Sequence, residues 1–456
     1  MTARQLSDLG LTGQGGENPN VTGLAVDSRE VQAGFLFAAL PGSRVHGGEF
    51  VQYALRQGAA AILTDAEGAR LAEDALREYP AALVVTEDPR GALAGAAAIW
   101  FGAQPKTMVA ITGTNGKSSV ASFTRQLWQI MGKEAINLGT TGVEGSYEAP
   151  LAHTTPEPIT LHRALSEAAA AGVTHGAMEA SSHGLEQRRL DGVILSAAAF
   201  TNFTQDHLDY HGTFEAYFDA KARLFGEVLA EEGTAVINMD DPRGADMAGI
   251  AEERGHRILT VGRFARELDF KIEAQRFDAT GQDLRVSFGG GVFTARMNLI
   301  GGFQAENVIV AAALTVATGG SVREAFAAMP HLETVRGRMQ LAATRENGAT
   351  VFVDYAHTPD AVATALKAIR PHVIGRLICV LGAGGDRDAG KRPLMGEAAA
   401  QHADVIFVTD DNPRSEDPEI IRRAVMQGCP EATEVADRAE AILRAVDALG
   451  PGDTAI

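Results

Sequence analysis

The sequence predicts an α/β protein of three domains, with a mainly parallel sheet in the central domain and a Rossmann-like carboxyl-terminal domain. The chain has 456 residues, more than one ordinary hydrophobic core accommodates. Short apolar runs alternate with helical segments along most of its length. Aromatic residues make up only 6% of the chain, whereas Ala and Gly are abundant, which favours helices and tight turns over an all-β fold.

Residues 1–100 are predicted to form a small α/β domain. Apolar runs at residues 35–40, 60–63 and 82–85 indicate strands, and residues 50–57 have a helical pattern.

Residues 101–332 are predicted to form the central domain. It begins with a strand at residues 108–111, and further apolar runs at 174–180, 197–203 and 235–239 are separated by helical stretches. Such repeats predict a parallel sheet with functional residues at the carboxyl ends of its strands. Residues 270–299 alternate and are broken by Gly, which indicates antiparallel strands, and a helix is predicted after them at 307–318.

Residues 333–456 are predicted to form the third domain. Apolar runs at 351–354, 377–381 and 405–408 are each followed by a polar or Gly turn and a helical segment, which is typical of Rossmann-like βα units. A further strand is expected to begin at residues 452–456.

Composition argues against several classes of partner. The formal net charge is −18 and there is no basic block, so we expect no nucleic acid partner. The apolar stretches are too short or too broken to span a bilayer, and no signal core follows Met1, so we expect a cytoplasmic protein without membrane contact. We also expect a monomer. Cys379 and Cys429 are predicted to be packing residues.

The first chemical motif is a glycine-rich loop after the strand at 108–111. It reads Gly113-Thr114-Asn115-Gly116-Lys117-Ser118-Ser119 and leads into a helical pattern. Backbone N–H groups of such a loop bind phosphates, the Lys117 ammonium neutralises them, and the Ser118 hydroxyl is a Mg²⁺ ligand. The sequence therefore predicts ATP binding with Mg²⁺ as cofactor, in a P-loop ATPase domain.

Two more polar motifs follow predicted strands of the central domain. Glu179 heads the run Glu-Ala-Ser-Ser-His-Gly-Leu and is a candidate second Mg²⁺ ligand, since Mg²⁺ prefers one or two carboxylates together with phosphate oxygens. Residues 201–212 contain an Asp/His cluster that also permits a zinc interpretation. We favour His207 as a neighbour of Mg²⁺, with the other members structural: Asp206, Asp209, Tyr210 and His211. The helical pattern at 214–225 by itself predicts that Lys221 is exposed.

These motifs, together with His153-Thr154-Thr155-Pro156 and residues 410–418, resemble those of the Mur ligases, in particular the MurE-type UDP-N-acetylmuramoyl-tripeptide synthetases. The resemblance covers essentially the whole chain. It implies that the three domains bind, in order, a UDP substrate, ATP and an incoming amino acid.

The resemblance also implies roles for individual residues. Lys221 matches a lysine that the family carbamylates to make a Mg²⁺ ligand. Asn307 resembles the adenine contact, and Arg338 and Asp354 resemble contacts to the γ-phosphate and ribose. The residues that resemble the UDP-substrate ligands are Ser28, helped by the loop at 43–47, and His153, Thr154, Thr155, Ser181, Gln187 and Arg189. Those that resemble the amino-acid ligands are Arg387, Asp411, Asn412, Pro413 and Arg414.

The implied activity is an ATP-dependent, ADP-forming ligation in peptidoglycan precursor synthesis, with Lys117, Glu179, His207, Lys221 and Arg338 as catalytic residues. The substrates would be UDP-MurNAc-L-Ala-D-Glu and a diamino acid, and Arg414 favours meso-diaminopimelate, because a guanidinium pairs with a carboxylate through two hydrogen bonds. The family continues with a Gly-Lys-Gly-His-Glu segment after the point where this sequence stops, so acceptor affinity is expected to be affected.

Several alternatives remain open at this stage. The acceptor could instead be L-ornithine or L-lysine. A folylpolyglutamate-type ligase shares the ATP loop but would not be expected to carry the Asp27-Ser28-Arg29 segment. A non-catalytic nucleotide-binding partner would bind ATP and a UDP-sugar without releasing phosphate, and a P-loop kinase is disfavoured because no kinase acceptor motif is present.

Overall fold

The structure is a computed structural model that describes residues 2–42, 45–278, 281–386 and 388–456. It has two compact units. The first comprises Met1–Thr112, Lys133–Ala198 and Asp219–Gly233, and the second comprises Gly113–Gly132, Ala199–Phe218 and Thr234–Ile456. Among the described residues, no helix is both long and apolar enough to cross a membrane.

The first hundred residues contain short strands and three helices. The strands are β1 (Arg4–Gln5), β2 (Asn20–Val21), β3 (Gly23–Ala25), β4 (Phe35–Ala38), β5 (Ala61–Thr64) and β6 (Ala82–Val85), and the helices are α1 (Val51–Arg56), α2 (Ala66–Glu78) and α3 (Pro89–Phe101). Strands β3 to β6 form a parallel sheet in sequence order. The runs predicted at 35–40, 60–63 and 82–85 correspond to β4, β5 and β6, which confirms the predicted alternation of strands and helices.

The next two hundred residues follow the predicted strand–helix alternation. The strands are β7 (Thr107–Thr112), β8 (Ala135–Gly139), β9 (Gly142–Gly145), β10 (His175–Glu179), β11 (Ala197–Phe200), β12 (Thr234–Asn238), β13 (Arg257–Gly262), β14 (Phe270–Asp278), β15 (Gly281–Phe288) and β16 (Gly291–Met297). The helices are α4 (Lys117–Ile130), α5 (Pro158–Ala170), α6 (Ser182–Glu186), α7 (Leu208–His211), α8 (Phe214–Arg223) and α9 (Gly244–Glu253).

Pairing within each unit agrees with the predicted parallel arrangement. In the first unit, β10 lies between β7 and β8 and is parallel to both, and β9 is antiparallel to β8. In the second unit, β12, β13 and β14 pair in parallel, whereas β14, β15 and β16 form an antiparallel ribbon. The change of pattern at residues 270–299 therefore marks a real change from parallel to antiparallel pairing.

The remaining residues begin with two helices and continue into a six-stranded sheet. The helices are α10 (Gln304–Ala317), α11 (Val322–Ala328), α12 (Pro359–Ile369), α13 (Lys391–His402), α14 (Pro418–Met426) and α15 (Arg438–Asp447), and the strands are β17 (Gln340–Thr344), β18 (Thr350–Val353), β19 (Leu377–Leu381), β20 (Val405–Val408), β21 (Thr433–Glu434) and β22 (Thr454–Ala455). The strand order is β17-β18-β22-β19-β20-β21, and only β17 is antiparallel to its neighbour.

This last sheet buries both of its faces. Leu377, Cys379 and Leu381 of β19 pack in a core with α12, α13 and α14, whereas Ile378 packs in a second core with α15. Successive side chains of a strand point to opposite faces, so a run of five apolar residues is what a strand covered on both sides requires. The Rossmann-like βα pattern predicted for these residues is confirmed.

Both cysteines are buried, as predicted, and should be chemically inert in the native protein. Burial raises the pKa of Cys379 to about 12 and also raises the pKa of Cys429, and the thiolate is the reactive species. We expect no reaction of either thiol with Ellman's reagent at pH 8, and reaction of both after unfolding in guanidinium. Rapid reaction of one thiol in the native protein would contradict this assignment.

Candidate active site

The glycine-rich loop connects a fully buried strand to a helix. Residues 108–111 of β7 are inaccessible to solvent, and α4 begins at Lys117. Gly113 (φ +146°) and Gly116 (φ +86°) have backbone conformations that side chains disfavour. A Cβ atom on Gly113 would lie 1.9 Å from Thr201 Oγ1, and one on Gly116 would lie 2.6 Å from Asn307 Oδ1. Both glycines are therefore required by the local packing.

The segment after β11 holds this loop in shape. The Thr114 amide donates to the Asn202 carbonyl oxygen (2.9 Å), and the Asn115 amide donates to Asn202 Oδ1 (2.8 Å). Thr201 Oγ1 donates to the Asn115 carbonyl (2.6 Å). The Thr114 and Tyr217 hydroxyls lie 3.2 Å apart. Sequence reasoning placed 201–212 near the site but did not identify Thr201, Asn202 and Tyr217 as anchors of the loop. The position of Thr201 and Asn202 directly after an apolar strand was the sequence feature that could have identified them.

Lys117 lies on the loop as the motif predicts. Its Nζ atom donates to the carbonyl oxygens of Gly113 (2.9 Å) and Thr114 (2.7 Å). Ser118 and Ser119 occupy the first turn of α4. A positive ammonium thus lies at the amino end of a helix, where the backbone amides and the helix dipole favour an anion.

Glu179 ends β10 and is held in place. Its register partner on β7 is Ile111, two residues before the loop begins. It is 3% exposed, and its Oε1 accepts a hydrogen bond of 2.9 Å from the Thr140 amide. A Cβ atom at Gly139 would lie 2.0 Å from that oxygen, so a glycine is needed beside the carboxylate.

Thr155 is the centre of a polar cluster beyond β10. It is 1% exposed, and its hydroxyl donates to the Glu179 carbonyl (2.9 Å) and accepts from the Ser181 amide (3.1 Å). Arg189 Nη1 donates to the Thr155 carbonyl (2.6 Å), and its Nη2 donates to Gln187 Oε1 (2.8 Å). The structure therefore brings together four of the residues predicted to bind the UDP substrate.

The other predicted substrate residues are placed as follows. Thr154 Oγ1 lies 3.0 Å from Thr140 Oγ1, and His153 is exposed. Ser28 begins a 3₁₀ turn capped by Asp27, and its carbonyl accepts from Gln57 Nε2 (2.5 Å). Within the loop at 43–47, residues 43 and 44 lie outside the described residues.

His207 and its neighbours lie in the second unit. His207 has φ +52°, its Nε2 is 3.4 Å from Asp206 Oδ2, and its ring stands edge-on to Tyr217. Burial raises the pKa of Tyr217, so its hydroxyl stays protonated as a hydrogen-bonding group. Tyr210 and His211 pack against each other in the same ring cluster.

Lys221 contradicts the expectation drawn from the helical pattern alone. It is 1% exposed and lies in the last turn of α8, which is followed by a π-helical turn at Leu224–Val228. The sequence of α8 has an amphipathic pattern, but that pattern could not show that Lys221 is buried. A fully buried lysine fits a modified or tightly paired group better than a solvated charge.

The residues predicted to contact adenosine and the γ-phosphate lie in the second unit. Asn307 is 7% exposed beside Gly116, and Arg338 lies 4.7 Å from the ring of Tyr355. Asp354 accepts from the amides of Met339 (2.8 Å) and Ala356 (2.9 Å), and burial raises the pKa of its carboxyl.

The two predicted acceptor segments contact each other. The Gly385 amide donates to the Asn412 carbonyl (2.9 Å), and Arg414 Nη1 donates to the Gly385 carbonyl (2.6 Å). Asp411 and Arg414 are exposed. Arg387 lies outside the described residues.

The donor set fits Mg²⁺ better than zinc. The described residues contain no group of three or more His, Cys, Asp or Glu side chains that could hold a metal ion. Zinc sites need three or four such ligands, whereas Mg²⁺ takes one or two carboxylates and completes its shell with water and phosphate oxygens. The buried, oriented carboxylate of Glu179 is suited to the second case.

Comparison with known proteins decides the family. Family models match residues 20–100 (Mur ligase family, catalytic domain), 111–315 (Mur ligase middle domain) and 337–456 (Mur ligase, glutamate ligase domain). A relative from Chelativorans sp. (strain BNC1), named UDP-N-acetylmuramoyl-L-alanyl-D-glutamate--2,6-diaminopimelate ligase, is 47% identical over 450 residues, covering 98% of this chain and 91% of the relative. The chain belongs to the Mur ligase family.

Solved structures agree with this assignment. A structure titled as a UDP-N-acetylmuramoyl-L-alanyl-D-glutamate--2,6-diaminopimelate ligase has a TM-score of 0.71 at 34% identity, and the match covers 96% of this Mur ligase and 88% of that chain. A folylpolyglutamate synthase from Mycobacterium tuberculosis has a TM-score of 0.65 at 18% identity, covering 80% of this chain and 90% of that one, which shows a shared fold. As a Mur ligase, this protein is an ATP-dependent, ADP-forming amide ligase of peptidoglycan synthesis.

Replacement of Gly113 by Ala should weaken nucleotide binding. The added methyl would meet Thr201 Oγ1, and a strain of about 1–3 kcal/mol should raise the Kd for ATP by roughly 5- to 160-fold in calorimetry. Gly132→Ala is the matched control, because Gly132 also has positive φ (+76°) but has open space around it. Equal ATP affinity of the Gly113 variant and the control would contradict a phosphate-binding role for this loop.

Proposed function

We propose that this Mur ligase joins meso-diaminopimelate to UDP-MurNAc-L-Ala-D-Glu at the expense of ATP. The observation that carries the proposal is the glycine-rich loop at 113–119, where the Lys117 ammonium lies at the amino end of α4 within the second unit. Support for the substrates comes from the name of the 47% identical relative, which spans nearly the whole chain. The proposed domains are residues 1–100 for the UDP substrate, 101–332 for ATP and 333–456 for the amino acid.

The first chemical step is a phosphoryl transfer. The carboxylate of the D-glutamate attacks the γ-phosphorus of ATP, the bond to the β,γ-bridging oxygen breaks, and ADP and an acyl phosphate result. In this proposal the loop amides and Lys117 hold the phosphates, Arg338 neutralises charge that develops on the γ-phosphoryl oxygens, and Asn307 and Asp354 bind adenosine. Catalysis then comes from positioning and charge neutralisation rather than from a covalent enzyme intermediate.

The second step forms the amide. The amine of the incoming amino acid attacks the acyl carbon, a tetrahedral intermediate forms, and it collapses with loss of inorganic phosphate and a proton. The cluster of Thr155, Ser181, Gln187 and Arg189 supplies hydroxyl, amide and guanidinium donors suited to an anionic UDP substrate. His153, Thr154 and Ser28 are proposed to extend this binding surface.

Ser118, Glu179, His207 and a carbamylated Lys221 are the proposed Mg²⁺ ligands. Carbamylation joins the neutral lysine amine to carbon dioxide with loss of a proton, and thereby replaces a buried ammonium with a carboxylate-like group. The 1% exposure of Lys221 supports this, because burial disfavours the charged ammonium relative to the neutral amine that carbon dioxide modifies. When bound, Mg²⁺ supplies charge neutralisation on the phosphate oxygens.

The acceptor is proposed to bind through the segments at 384–388 and 411–414. The exposed Arg414 guanidinium can pair with a side-chain carboxylate, which meso-diaminopimelate has and L-lysine and L-ornithine lack. Arg387, Asp411, Asn412 and Pro413 are proposed to complete that site.

The proposed reaction is tested by measuring phosphate release from ATP with UDP-MurNAc-L-Ala-D-Glu and each diamino acid in turn. We expect release with meso-diaminopimelate, little with L-lysine or L-ornithine, and loss of that preference in Arg414→Ala. Release with lysine or ornithine instead would keep the ligase and reject Arg414 as the selector. No release with any of them would overturn the catalytic proposal in favour of a binding role.

Lys221→Ala should lower the ligation rate at least about 100-fold while much nucleotide binding remains, because it removes one charge-stabilising group from the reaction centre. Lys367→Ala, which changes an exposed lysine on α12, is the control and should be fully active. With ¹³C-bicarbonate, a carbamate carbon signal should appear in the wild type and be absent in Lys221→Ala. Full activity of Lys221→Ala would refute the carbamate role.

A further inference from the structure

Residues 384–386 and 412–416, which include parts of the two proposed acceptor segments, are joined by several hydrogen bonds. Besides the contacts of Gly385, Ser415 donates to Asp386 through its amide (3.1 Å to Oδ2) and its hydroxyl (2.7 Å to Oδ1). The hydroxyl bond is the main reason that the pKa of Asp386 is lowered, so this carboxylate stays ionised. A Cβ atom at Gly385 would lie 1.9 Å from the Pro413 carbonyl oxygen, so the two backbones are in direct contact.

Both segments contain a strained residue. Asp386 (φ +52°) and Arg414 (φ +51°) are in the left-handed region, which is unfavourable for residues other than glycine. Such conformations persist only where surrounding contacts impose them.

Glu416 and Arg392 supply these contacts. The Asp386 amide donates to Glu416 Oε1 (2.5 Å), and the Arg392 guanidinium pairs with both oxygens of Glu416 (Nη1 to Oε2 2.9 Å, Nη2 to Oε1 2.7 Å). Arg392 is in the first turn of α13, is 3% exposed, and also reaches the Gly384 carbonyl (3.4 Å). A two-point guanidinium–carboxylate pair fixes orientation as well as charge.

The Arg392–Glu416 pair also influences the position of Arg414. The Arg414 guanidinium is held by a single bond to the Gly385 carbonyl, between Gly384, which Arg392 contacts, and Asp386, which Glu416 contacts. Within the described residues, no protein partner is recorded for its Nε and Nη2 donors, which a ligand carboxylate could use. A shift of the 384–386 backbone would move the Gly385 carbonyl, and the Arg414 guanidinium would move with it.

We propose that Arg392 and Glu416 are positioning residues for acceptor selectivity: they do not contact the amino acid but hold the Arg414 guanidinium where it can pair with the acceptor's side-chain carboxylate. This inference rests on the proposed function, since it requires that Arg414 recognise the acceptor. It predicts that the pair affects the choice of amino acid and leaves the nucleotide site unaffected.

The test compares steady-state kinetics of the full-length protein and its variants Arg392→Met and Glu416→Gln. Misplacement of a recognition group commonly costs ~10- to 100-fold, so we expect the KM for meso-diaminopimelate to rise by that factor. The KM for ATP and the low rate with L-lysine, which lacks the carboxylate, should change less than about twofold. The KM of the double variant for meso-diaminopimelate should not exceed that of the more impaired single variant, because the two residues act as one unit.

Two further variants separate positioning from general stability. Arg392→Lys keeps the positive charge but not the two-point geometry, so thermal stability should largely recover whereas the KM for meso-diaminopimelate should stay high. Arg376→Met is the matched control: Arg376 pairs with Asp453 (2.7 Å) in the same carboxyl-terminal domain, directly before β19, and its loss should lower the melting temperature without changing the KM.

The outcomes are distinguishable. An unchanged KM for meso-diaminopimelate in folded Arg392→Met and Glu416→Gln would overturn this inference and leave the ligase proposal intact. An equal KM increase in Arg376→Met would also overturn it, by showing a general effect of destabilisation. Absence of phosphate release by the wild type with every diamino acid would reject the proposed function itself.

Discussion

The glycine-rich loop at 113–116 has positive φ at Gly113 and Gly116, so contacts from outside the loop must hold its shape. The rest of the proposed nucleotide site depends on how this constraint is met. Here the shape of the loop at 113–116 is imposed by Thr201 and Asn202, which bond to it from outside. Asn238 Nδ2 in turn donates to the Thr201 carbonyl (2.7 Å), and Asp241 Oδ2 accepts from the Phe203 amide (2.7 Å). The loop is thus braced by the residues that follow β11 and β12.

The same kind of hydrogen bond, from a backbone amide to a polar side chain, is found after the next strand. Asp240 accepts from the amides of Arg263 (2.6 Å) and Phe264 (2.8 Å), just after β13. Short polar side chains at successive strand ends therefore satisfy the backbone of the next turn, which matters because buried backbone groups without partners are costly. Since side chains carry this support, the polar residues at the ends of β11 and β12 have a structural role.

The sequence was sufficient for the fold because its apolar runs are long and separated by clear turns. The runs at 82–85, 377–381 and 405–408 coincide with β6, β19 and β20. It was also sufficient to locate the glycine-rich loop, whose glycines have a local steric reason. It failed at Lys221, because burial of a lysine is decided by distant residues that cover it. It likewise could not identify Arg392 and Glu416, whose pairing depends on two loops that meet only in the folded chain.

The position of β22 bears on how the carboxyl-terminal sheet assembles. This strand lies between β18 and β19, and its Thr454 and Ala455 pair with residues about 75 to 104 positions earlier in the chain. Contacts so distant in sequence form slowly, because a long loop must close first. During synthesis, β18 and β19 have no central partner until residue 455 has left the ribosome. The sheet formed by β17 to β22 is therefore expected to become resistant to proteolysis later than the sheets that precede it in the chain.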